Sequence, residues 1–338
     1  MRFERGFFIS IFSVSFVVCF SGCHTNGERS GTAPLMSTVA GAAPEQQSVE
    51  NAPPAEKTGG FDGKRAFAHV AKQVSFGPRP SGSPAIGQLQ SYIQSELSSY
   101  GCKVEADDFH ADTPIGNLAM KNIVAKIPGD KPGIIVLATH YDTARAARDP
   151  ASGQVHPMPT FVGADDGGSS TGVMLELARL LCSKHLRYAT WITFFDGEEA
   201  MRDWSDTDSR YGSRQMAAKM AISGDVKKVK AFLLADIVGG RKAHFLRESS
   251  STKGLVDLFW NAAHKLGYSD LFRDEATAAQ DDHDPFLKRG VPSLDVIGDF
   301  ENNGYWHTPE DNLDKISAKT LAIVGHVFLE SVNELQAR

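Results

Sequence analysis

Short apolar runs and helical patterns alternate along most of this chain. The apolar runs are rich in β-branched and aromatic residues and lie at about 122–127, 134–138, 190–195, 231–235 and 293–297. The helical patterns surround them, at about 62–75, 84–100, 170–185, 252–267 and 316–336. Apolar runs without charge are typical of strands buried on both faces of a parallel sheet. The alternation therefore predicts an α/β fold in three layers, a mostly parallel mixed sheet with helices on both faces.

Acidic residues and histidines follow these apolar runs or stand in Gly-rich turns. The run at 190–195 leads into the adjacent pair Glu198 and Glu199. The full set comprises His140, Asp165, Asp166, Glu198, Glu199, Asp236 and His307. A Glu-Glu pair alone also suits a helix N-terminus, where acidic residues complement the helix dipole. Ligand sites in open α/β sheets form at the carboxyl ends of strands, so this convergence favours a functional site.

Imidazole and carboxylate groups in this number favour a zinc site. Zinc accepts both kinds of donor, and a catalytic zinc keeps one position open for water or substrate. A glycosidase built on a carboxylate pair would not need the histidines. The Gly-rich segment 167–172 has no Lys after its last Gly. This absence indicates a turn with a helix cap rather than a phosphate-binding loop.

Seven motifs occur in an order and at a spacing that match one known family. They are Ala138-Thr139-His140-Tyr141-Asp142, Gly163-Ala164-Asp165-Asp166, Phe195-Asp196-Gly197-Glu198-Glu199-Ala200, Trp204-Ser205, Asp208-Ser209-Arg210-Tyr211-Gly212-Ser213-Arg214, Gln280-Asp281-Asp282-His283-Asp284-Pro285-Phe286-Leu287 and Trp306-His307-Thr308. From about residue 61 to the C-terminus the chain resembles the zinc-dependent glutaminyl cyclases, or glutaminyl-peptide cyclotransferases. That family lies in the wider group of zinc aminopeptidases.

The resemblance implies a single zinc ion held by Asp166, Glu199 and His307, with Glu198 as the acid/base. Asp165 is the competing neighbour for the first ligand, but counting back from Leu175-Glu176-Leu177-Ala178 places Asp166 where the family has its aspartate. The implied reaction converts the N-terminal glutamine of a peptide to pyroglutamate and releases ammonia. This chemistry needs a base for the α-amine, an electrophile for the amide carbonyl and an acid for the leaving nitrogen.

The resemblance also implies partners for the catalytic glutamate and a substrate pocket. Asp236 and Asp281 match the partners of that glutamate. Trp204, Trp306 and Gln280 match substrate-binding positions, so peptides with N-terminal Gln are the expected partners.

Two positions depart from the family pattern. Animal members carry a histidine of the hydrogen-bonded network where this chain has Asp295. Gly167 replaces the serine that often follows the first metal aspartate. Both departures concern the network around the metal rather than the metal itself.

A two-zinc aminopeptidase is the main alternative. Its five metal ligands would be His140, Asp166, Glu199, Asp236 and His307. Glu198 would then activate water, and since all six residues are present the ligand set leaves both interpretations open. The segment that follows favours the cyclase, because residues 201–211 carry Trp204 and because Trp306 directly precedes His307.

The N-terminus predicts export and a lipid anchor. Residues 1–5 are net positive and residues 6–20 are apolar. That apolar stretch is short for a membrane span, which needs about 20 residues. Small residues precede Cys23, as in a bacterial lipoprotein signal peptide that is cut before a lipidated cysteine. A plain signal peptide with a cut near Gly22 is the alternative.

Residues 24–60 contain few large apolar groups, which is typical of an unstructured tether. The predicted organisation is a signal peptide at 1–22, a lipidated cysteine and tether at 23–60, and a zinc-dependent catalytic domain at 61–338. We expect a protein of the bacterial cell envelope, anchored by lipid and facing the periplasm or the outside.

The remaining composition bears on partners and on cross-linking. A formal net charge of -6 without a basic cluster predicts that the protein has no nucleic-acid partner. A monomer is expected. Cleavage before Cys23 and lipidation of that residue would leave Cys102 and Cys182 as the free cysteines, and these two can form a disulfide in an oxidising compartment. Their places in the sequence do not decide whether they lie close together.

Overall fold

Strands and helices alternate in the computed structural model, which describes Val49 and residues 51–148 and 154–338. The strands are β1 (Lys103–Thr113), β2 (Gly116–Ile127), β3 (Gly129–His140), β4 (Ala146–Arg148), β5 (Val155–Pro157), β6 (Leu186–Phe195), β7 (Val229–Asp236), β8 (Phe245–Glu248), β9 (Phe272–Thr277) and β10 (Ser293–Ile297). The helices are α1 (Gly63–Val74), α2 (Pro84–Ser99), α3 (Gly168–Leu181), α4 (Tyr211–Ser223), α5 (Lys253–Lys265), α6 (Asp284–Leu287) and α7 (Ala318–Ala337). None of these helices has the length and apolar character to cross a membrane.

Six strands form the central sheet, in the order β1-β2-β6-β3-β7-β10. Strands β6, β3, β7 and β10 run parallel to their neighbours within this group. The hairpin β1-β2 adds an antiparallel edge through the pairing of β2 with β6. All five predicted apolar runs lie in this sheet. The predicted α/β fold with a mostly parallel mixed sheet is confirmed.

Apolar side chains cover both faces of the sheet. Successive residues of a strand point to opposite faces. In β3, Ile135 and Leu137 belong to the larger core, which also contains residues of α1, α2, α3, α5 and α7. Val136 and Ala138 belong to a second cluster, which includes Met216 of α4. Helices therefore lie on both faces and leave the carboxyl edge of the parallel strands open for a site.

The sequence pattern does not predict β1 or α4. Most of β1 is exposed or only partly buried, so the strand has no continuous apolar face. It is held instead by its full-length pairing with β2. In α4 the buried positions include Gly212, Ser213 and Ala217, small residues that give weak helical periodicity. Both elements depend on tertiary contacts more than on their own pattern.

A disulfide joins Cys102 and Cys182, with a Cα–Cα distance of 5.1 Å. Cys102 lies just before β1, and Cys182 is the C-cap of α3. The two cysteines that the sequence left undecided are thus bonded. The cross-link closes a loop that contains β1, β2, β3 and α3.

The folded part of the chain begins before residue 61. The predicted tether, which was expected to extend to residue 60, therefore ends earlier than predicted. Residues Ala55–Lys57 form one turn of 3-10 helix, and Ala52 packs against the core. The Thr58 hydroxyl is buried and donates to the carbonyl oxygen of Phe61 at 2.6 Å. Phe61 is fully buried and lies directly over Gly325 of α7. The predicted signal peptide, Cys23 and most of the predicted tether lie outside the described residues.

Candidate metal centre and active site

The ends of the central strands carry the ionisable residues of the candidate site. His140 is the last residue of β3, and Asp236 is the last residue of β7. Glu198 and Glu199 follow β6 after a turn at Gly197, where φ is +70°. Parallel strands end at one edge of the sheet, so these four side chains come together although they are distant in sequence.

Two overlapping groups of three residues have the geometry of metal ligands. One contains His140, Asp166 and Asp236, and the other contains Asp166, Glu199 and His307. Within each group the ligand atoms lie within 4.8 Å of one another. His140 Nε2 lies 3.2 Å from Asp166 Oδ1 and 3.0 Å from Asp236 Oδ1. Asp166 belongs to both groups and stands between the two histidines.

The group of Asp166, Glu199 and His307 fits a zinc ion by its chemistry. His307 Nε2 lies 3.2 Å from Glu199 Oε1 and 3.3 Å from Asp166 Oδ2. Asp166 Oδ2 is buried and accepts no hydrogen bond. Burial alone would lower the pKa of His307, but the carboxylates of Glu199 and Asp166 raise it well above its ordinary value. Two buried carboxylates beside one imidazole concentrate negative charge, and a bound cation such as zinc would neutralise it.

Asp165 and Asp166 are adjacent but have different partners. Asp165 Oδ1 accepts from the Gly239 amide at 2.7 Å, and its Oδ2 accepts from the Tyr305 hydroxyl at 2.6 Å. These bonds tie the turn after β7 to the segment that carries His307. Asp165 therefore braces two loops, and Asp166 is the member of the pair that enters both ligand groups.

Buried aspartates hold the backbone of both acidic pairs. Asp142 Oδ1 and Oδ2 accept from the amides of Glu198 and Glu199 at 3.1 and 3.2 Å. Asp311 Oδ1 and Oδ2 accept from the amides of Asp165 and Asp166 at 2.8 and 3.1 Å. Asp142 stands two residues after His140 in the sequence. In the structure its carboxylate supports the glutamate pair, and its Oδ1 lies 3.6 Å from His140 Nδ1.

Arg79 is a supporting residue that the sequence pattern did not identify. Its side chain is fully buried and donates to the carbonyl oxygens of Tyr141, Val162 and Gly163. The first carbonyl follows His140, and the other two precede the Asp165–Asp166 pair. Burial lowers the pKa of Arg79 to about 10, so the side chain keeps its charge at neutral pH. Its place between two prolines, in Pro78-Arg79-Pro80, is the only local signal in the sequence for a fixed arginine.

The proposed acid/base and its two partners line one pocket. Glu198, Asp236 and Asp281 are buried and reach the same cavity. Burial raises the pKa of Glu198 well above its ordinary value, and Glu199 and Asp281 raise it further. Burial also raises the pKa of Asp281, with added contributions from Asp236 and Asp282. Neighbouring carboxylates disfavour one another's ionisation, so each member of the cluster binds its proton more tightly than it would alone.

Aromatic residues border this cavity, whose volume is about 880 Å³. Trp204 and Trp306 are partly exposed at its wall. The Trp204 ring nitrogen donates to Gln280 Oε1 at 3.1 Å. Trp306 stacks on His307 with ring centroids 4.3 Å apart, and Phe300 packs against Trp306 at 4.8 Å. The structure thus brings the three predicted substrate-binding residues to the pocket that contains the metal ligands.

The two positions that depart from the family lie behind the site. Both carboxylate oxygens of Asp295 are buried without hydrogen bonds, and burial raises the pKa of this residue well above its ordinary value. His283 Nδ1 lies 3.8 Å from Asp295 Oδ2, while His283 Nε2 contacts Ser250 Oγ at 2.9 Å. Gly167 has a φ of +73°, and a Cβ there would lie 2.9 Å from His140 Cε1. His283 is in neither ligand group and has structural contacts only.

The fold is similar to that of zinc-dependent exopeptidases, as the comparisons with known proteins show. The sequence profile of peptidase family M28 matches residues 122–332. A Zn-dependent exopeptidase from Parabacteroides distasonis is similar in structure, with a TM-score of 0.73 and 32% identity over 80% of this chain and 98% of that chain.

Two further relatives narrow the class. The glutaminyl-peptide cyclotransferase of the snake Boiga irregularis is 32% identical over 75% of this chain and 78% of its own length. The crystal structure of a glutaminyl cyclase from an Acidobacteriales bacterium has a TM-score of 0.75 and 40% identity over 82% of this chain and 96% of that chain. The chain therefore belongs to peptidase family M28 and, within it, to the glutaminyl cyclases. The family resemblance seen in the sequence is confirmed.

Proposed function

We propose that this protein converts the N-terminal glutamine of peptides to pyroglutamate and releases ammonia. The observation that carries the proposal is the position of Trp204. The loop between β6 and α4 brings this residue to the wall of the pocket that Glu198 and Glu199 line, where it contacts Gln280. An aromatic wall beside a metal-ligand group suits an intramolecular reaction, in which holding the substrate in a reactive shape is a large part of catalysis.

Asp166, Glu199 and His307 would hold one zinc ion in this proposal. Zinc bound there supplies a Lewis acid for the side-chain amide of the substrate. Support comes from Asp166 Oδ2, which is buried and accepts no hydrogen bond, and from the convergence of one imidazole with two carboxylates. Asp142 and Asp311 fix the backbone of Glu199 and Asp166, because their carboxylates accept hydrogen bonds from the amides of these two ligands.

Glu198 would move the proton in the same reaction. As a carboxylate it takes a proton from the α-amine while the amine nitrogen attacks the side-chain carbonyl carbon. It then gives this proton to the leaving nitrogen, which departs as ammonia. Burial raises the pKa of Glu198 and Asp281 raises it further, while Asp236 raises the pKa of Asp281. A raised pKa brings Glu198 closer to the operating pH, where one group serves best as base and then as acid.

A two-zinc aminopeptidase remains the second candidate because of one observation. His140, Asp166 and Asp236 form a further ligand group that shares Asp166 with the first. With two ions in place, Glu198 would activate water for peptide-bond cleavage. The hydrogen-bond distance between His140 and Asp236 equally suits a group without metal, in which the histidine is held by the carboxylate.

The test compares three synthetic peptides that differ only in their first residue, Gln, Glu or Leu. The purified protein should release ammonia and form pyroglutamate from the Gln peptide and leave the Leu peptide intact. Mass spectrometry distinguishes cyclisation, which keeps the peptide bond, from removal of the first amino acid. Release of free leucine or glutamine without pyroglutamate would assign the protein to the aminopeptidases.

We further propose that the enzyme is a monomer anchored to the bacterial cell envelope through a lipid on Cys23. The features of residues 1–23 support the anchor. The Cys102–Cys182 disulfide is of the kind that persists in oxidising compartments, which supports export. Peptides with N-terminal Gln would then be met outside the cytoplasm.

A further inference from the structure

Trp204 is an aromatic side chain at the pocket that lacks support from the hydrophobic core. Its side chain is 37% exposed, and it belongs to none of the apolar clusters of the described residues. One hydrogen bond, from the ring nitrogen to Gln280, holds its edge. A ring in a loop needs a second contact on its face to keep one orientation.

Arg210 supplies that contact. Its guanidinium carbon lies 5.4 Å from the centre of the Trp204 ring, within the range of a cation–π interaction. Only 1% of Arg210 is exposed, although most arginines lie at the surface. A buried arginine must have its charge and donors satisfied, so its partners show what the residue is fixed to.

The guanidinium joins two loops that both reach the pocket. Arg210 Nη2 donates to Asp206 Oδ1 at 2.7 Å, within the loop that carries Trp204. Arg210 Nη1 donates to Asp284 Oδ2 at 2.5 Å. Asp284 begins α6, directly after the segment that presents Gln280 to the pocket. The planar guanidinium group of Arg210 therefore sets the distance between two loops. One loop carries Trp204 and the other carries Gln280, and these two side chains form the hydrogen bond described above.

The backbone of Arg210 extends the link to the catalytic pair. Its amide donates to the carbonyl oxygen of Glu198 at 2.7 Å. Its φ is +52°, a left-handed conformation that is unfavourable for a residue other than Gly and persists only where neighbouring contacts impose it. One residue thus connects the chain at Glu198, the face of Trp204 and the start of α6.

We infer that Arg210 is a positioning residue for substrate, which fixes Trp204 against Gln280 and so shapes the pocket for the N-terminal residue of the peptide. This inference rests on the proposed cyclisation. Arg210 touches neither the metal ligands nor the acid/base through its side chain, so its removal should weaken peptide binding and leave the chemical step and the metal in place. A residue that stabilises the bound substrate and the transition state equally affects KM and leaves kcat unchanged, so we expect a change in KM alone.

The experiment is a double-mutant cycle of Arg210→Met and Trp204→Ala, measured with a Gln peptide. Arg210→Met should raise KM roughly tenfold, within the range that misplaced positioning groups cause, and change kcat less than about threefold. Its zinc content should equal that of the wild type. In the Trp204→Ala background Arg210→Met should have little further effect on KM, because the ring on which it acts is gone. Arg210→Lys, which keeps the charge but not the fork, should recover part of the loss.

Lys288→Met is the matched control. Lys288 Nζ also contacts Asp206 Oδ1, at 3.4 Å, but lies exposed and has no contact with Trp204 in the described structure. This variant should behave as the wild type. An unchanged KM in Arg210→Met, or an equal rise in KM with and without Trp204, overturns the inference. If Arg210→Met does not fold, Arg210→Lys and Asp284→Asn replace it in the cycle, and a wild-type KM in both of these variants also overturns the inference.

A fluorescence measurement separates this inference from the proposed function. Quenching of tryptophan fluorescence by acrylamide should increase in Arg210→Met, and the increase should vanish when Trp204 is replaced by Phe. This readout needs no turnover, so it tests the position of Trp204 even in a protein that fails to cyclise glutamine. Lack of cyclisation by the wild type contradicts the proposed function, whereas unchanged quenching contradicts the role of Arg210.

Discussion

Asp142 and Asp311 make matching hydrogen bonds to the two acidic pairs of the candidate metal centre. Each carboxylate accepts hydrogen bonds from two successive amides, those of the Glu198–Glu199 pair and of the Asp165–Asp166 pair. Since the backbone of each pair is fixed, the two side chains of a pair can have different partners. This arrangement allows neighbouring carboxylates with the same chemistry to take the different roles that we propose for them.

The first prediction separates the two glutamates. Glu198→Gln should retain zinc and lose most activity, on the order of the 10²- to 10⁴-fold that a general acid/base contributes. Glu199→Gln should lose zinc together with activity, because an amide oxygen replaces a charged ligand. Elemental analysis and ammonia release measured on the same preparations check both. Equal zinc contents in the two variants would contradict this assignment of roles.

The second prediction concerns the number of metal ions. We expect a single zinc ion per chain after dialysis against a weak chelator. His307→Ala should remove it, whereas His140→Ala should leave the zinc content unchanged, because His140 belongs only to the second ligand group. Two ions per chain, with activity that rises as the second binds, would turn His140 and Asp236 into metal ligands and favour the aminopeptidase.

The third prediction concerns the disulfide. Its cysteines are 80 residues apart in sequence. For a loop of this length chain entropy gives a stabilisation of about 4 to 5 kcal/mol. The double variant Cys102→Ser, Cys182→Ser should therefore unfold at lower urea concentration, while its KM stays unchanged because neither cysteine lines the pocket. Wild-type protein treated with reductant serves as the control and should show the same shift. If the urea unfolding curves before and after reduction coincide, the disulfide does not contribute to stability.

The fourth prediction concerns pH and Glu248. Burial alone would raise the pKa of Glu248, but His283 and the donors of Ser250 and Ser251 lower it to about 2, from an ordinary value of 4.5. A lowered pKa in the folded state stabilises the protein above pH 4.5, and this stabilisation is lost as the pH falls towards 2. This pKa shift corresponds to a contribution of at most about 3 kcal/mol to the free energy of unfolding.

Glu248→Gln should therefore lower the free energy of unfolding at neutral pH, and its difference from the wild type should shrink steadily below pH 4.5. Urea titrations over that pH range measure the difference. The control is Glu275→Gln, at an exposed position of β9. A difference that is constant with pH would show that Glu248 acts by packing rather than by its charge.

The fifth prediction concerns the lipid anchor. In bacterial cells that express the full chain, most of the protein should sediment with membranes. Cys23→Ala should shift it to the soluble fraction or leave it as an unprocessed precursor, because the acceptor for the lipid is lost. A normally processed Cys23→Ala protein in the membrane pellet would exclude this anchor. Cys102→Ser serves as the control and should remain in the membrane fraction.

The sequence predicted the fold and the members of the site better than it predicted their supports. Strand ends such as His140 and Asp236 were recognisable because each follows an uninterrupted apolar run. Asp311 and Arg79 were not recognisable, because they act on backbone groups far away in sequence and leave no periodic pattern. The disulfide was undecidable for the same reason. Contacts between residues that are far apart in sequence form only in the folded chain.

The wide spacing of the three proposed zinc ligands has a consequence for how the enzyme matures. Asp166 precedes α3, Glu199 follows β6, and His307 lies beyond β10, near the end of the chain. No shorter stretch contains the complete set, so a growing chain cannot bind the ion at this site before its last segments are made and packed. At the proposed site the ion would therefore join the protein only after these segments have folded. The supply of zinc in the compartment where folding is completed would then decide what fraction of the molecules becomes active.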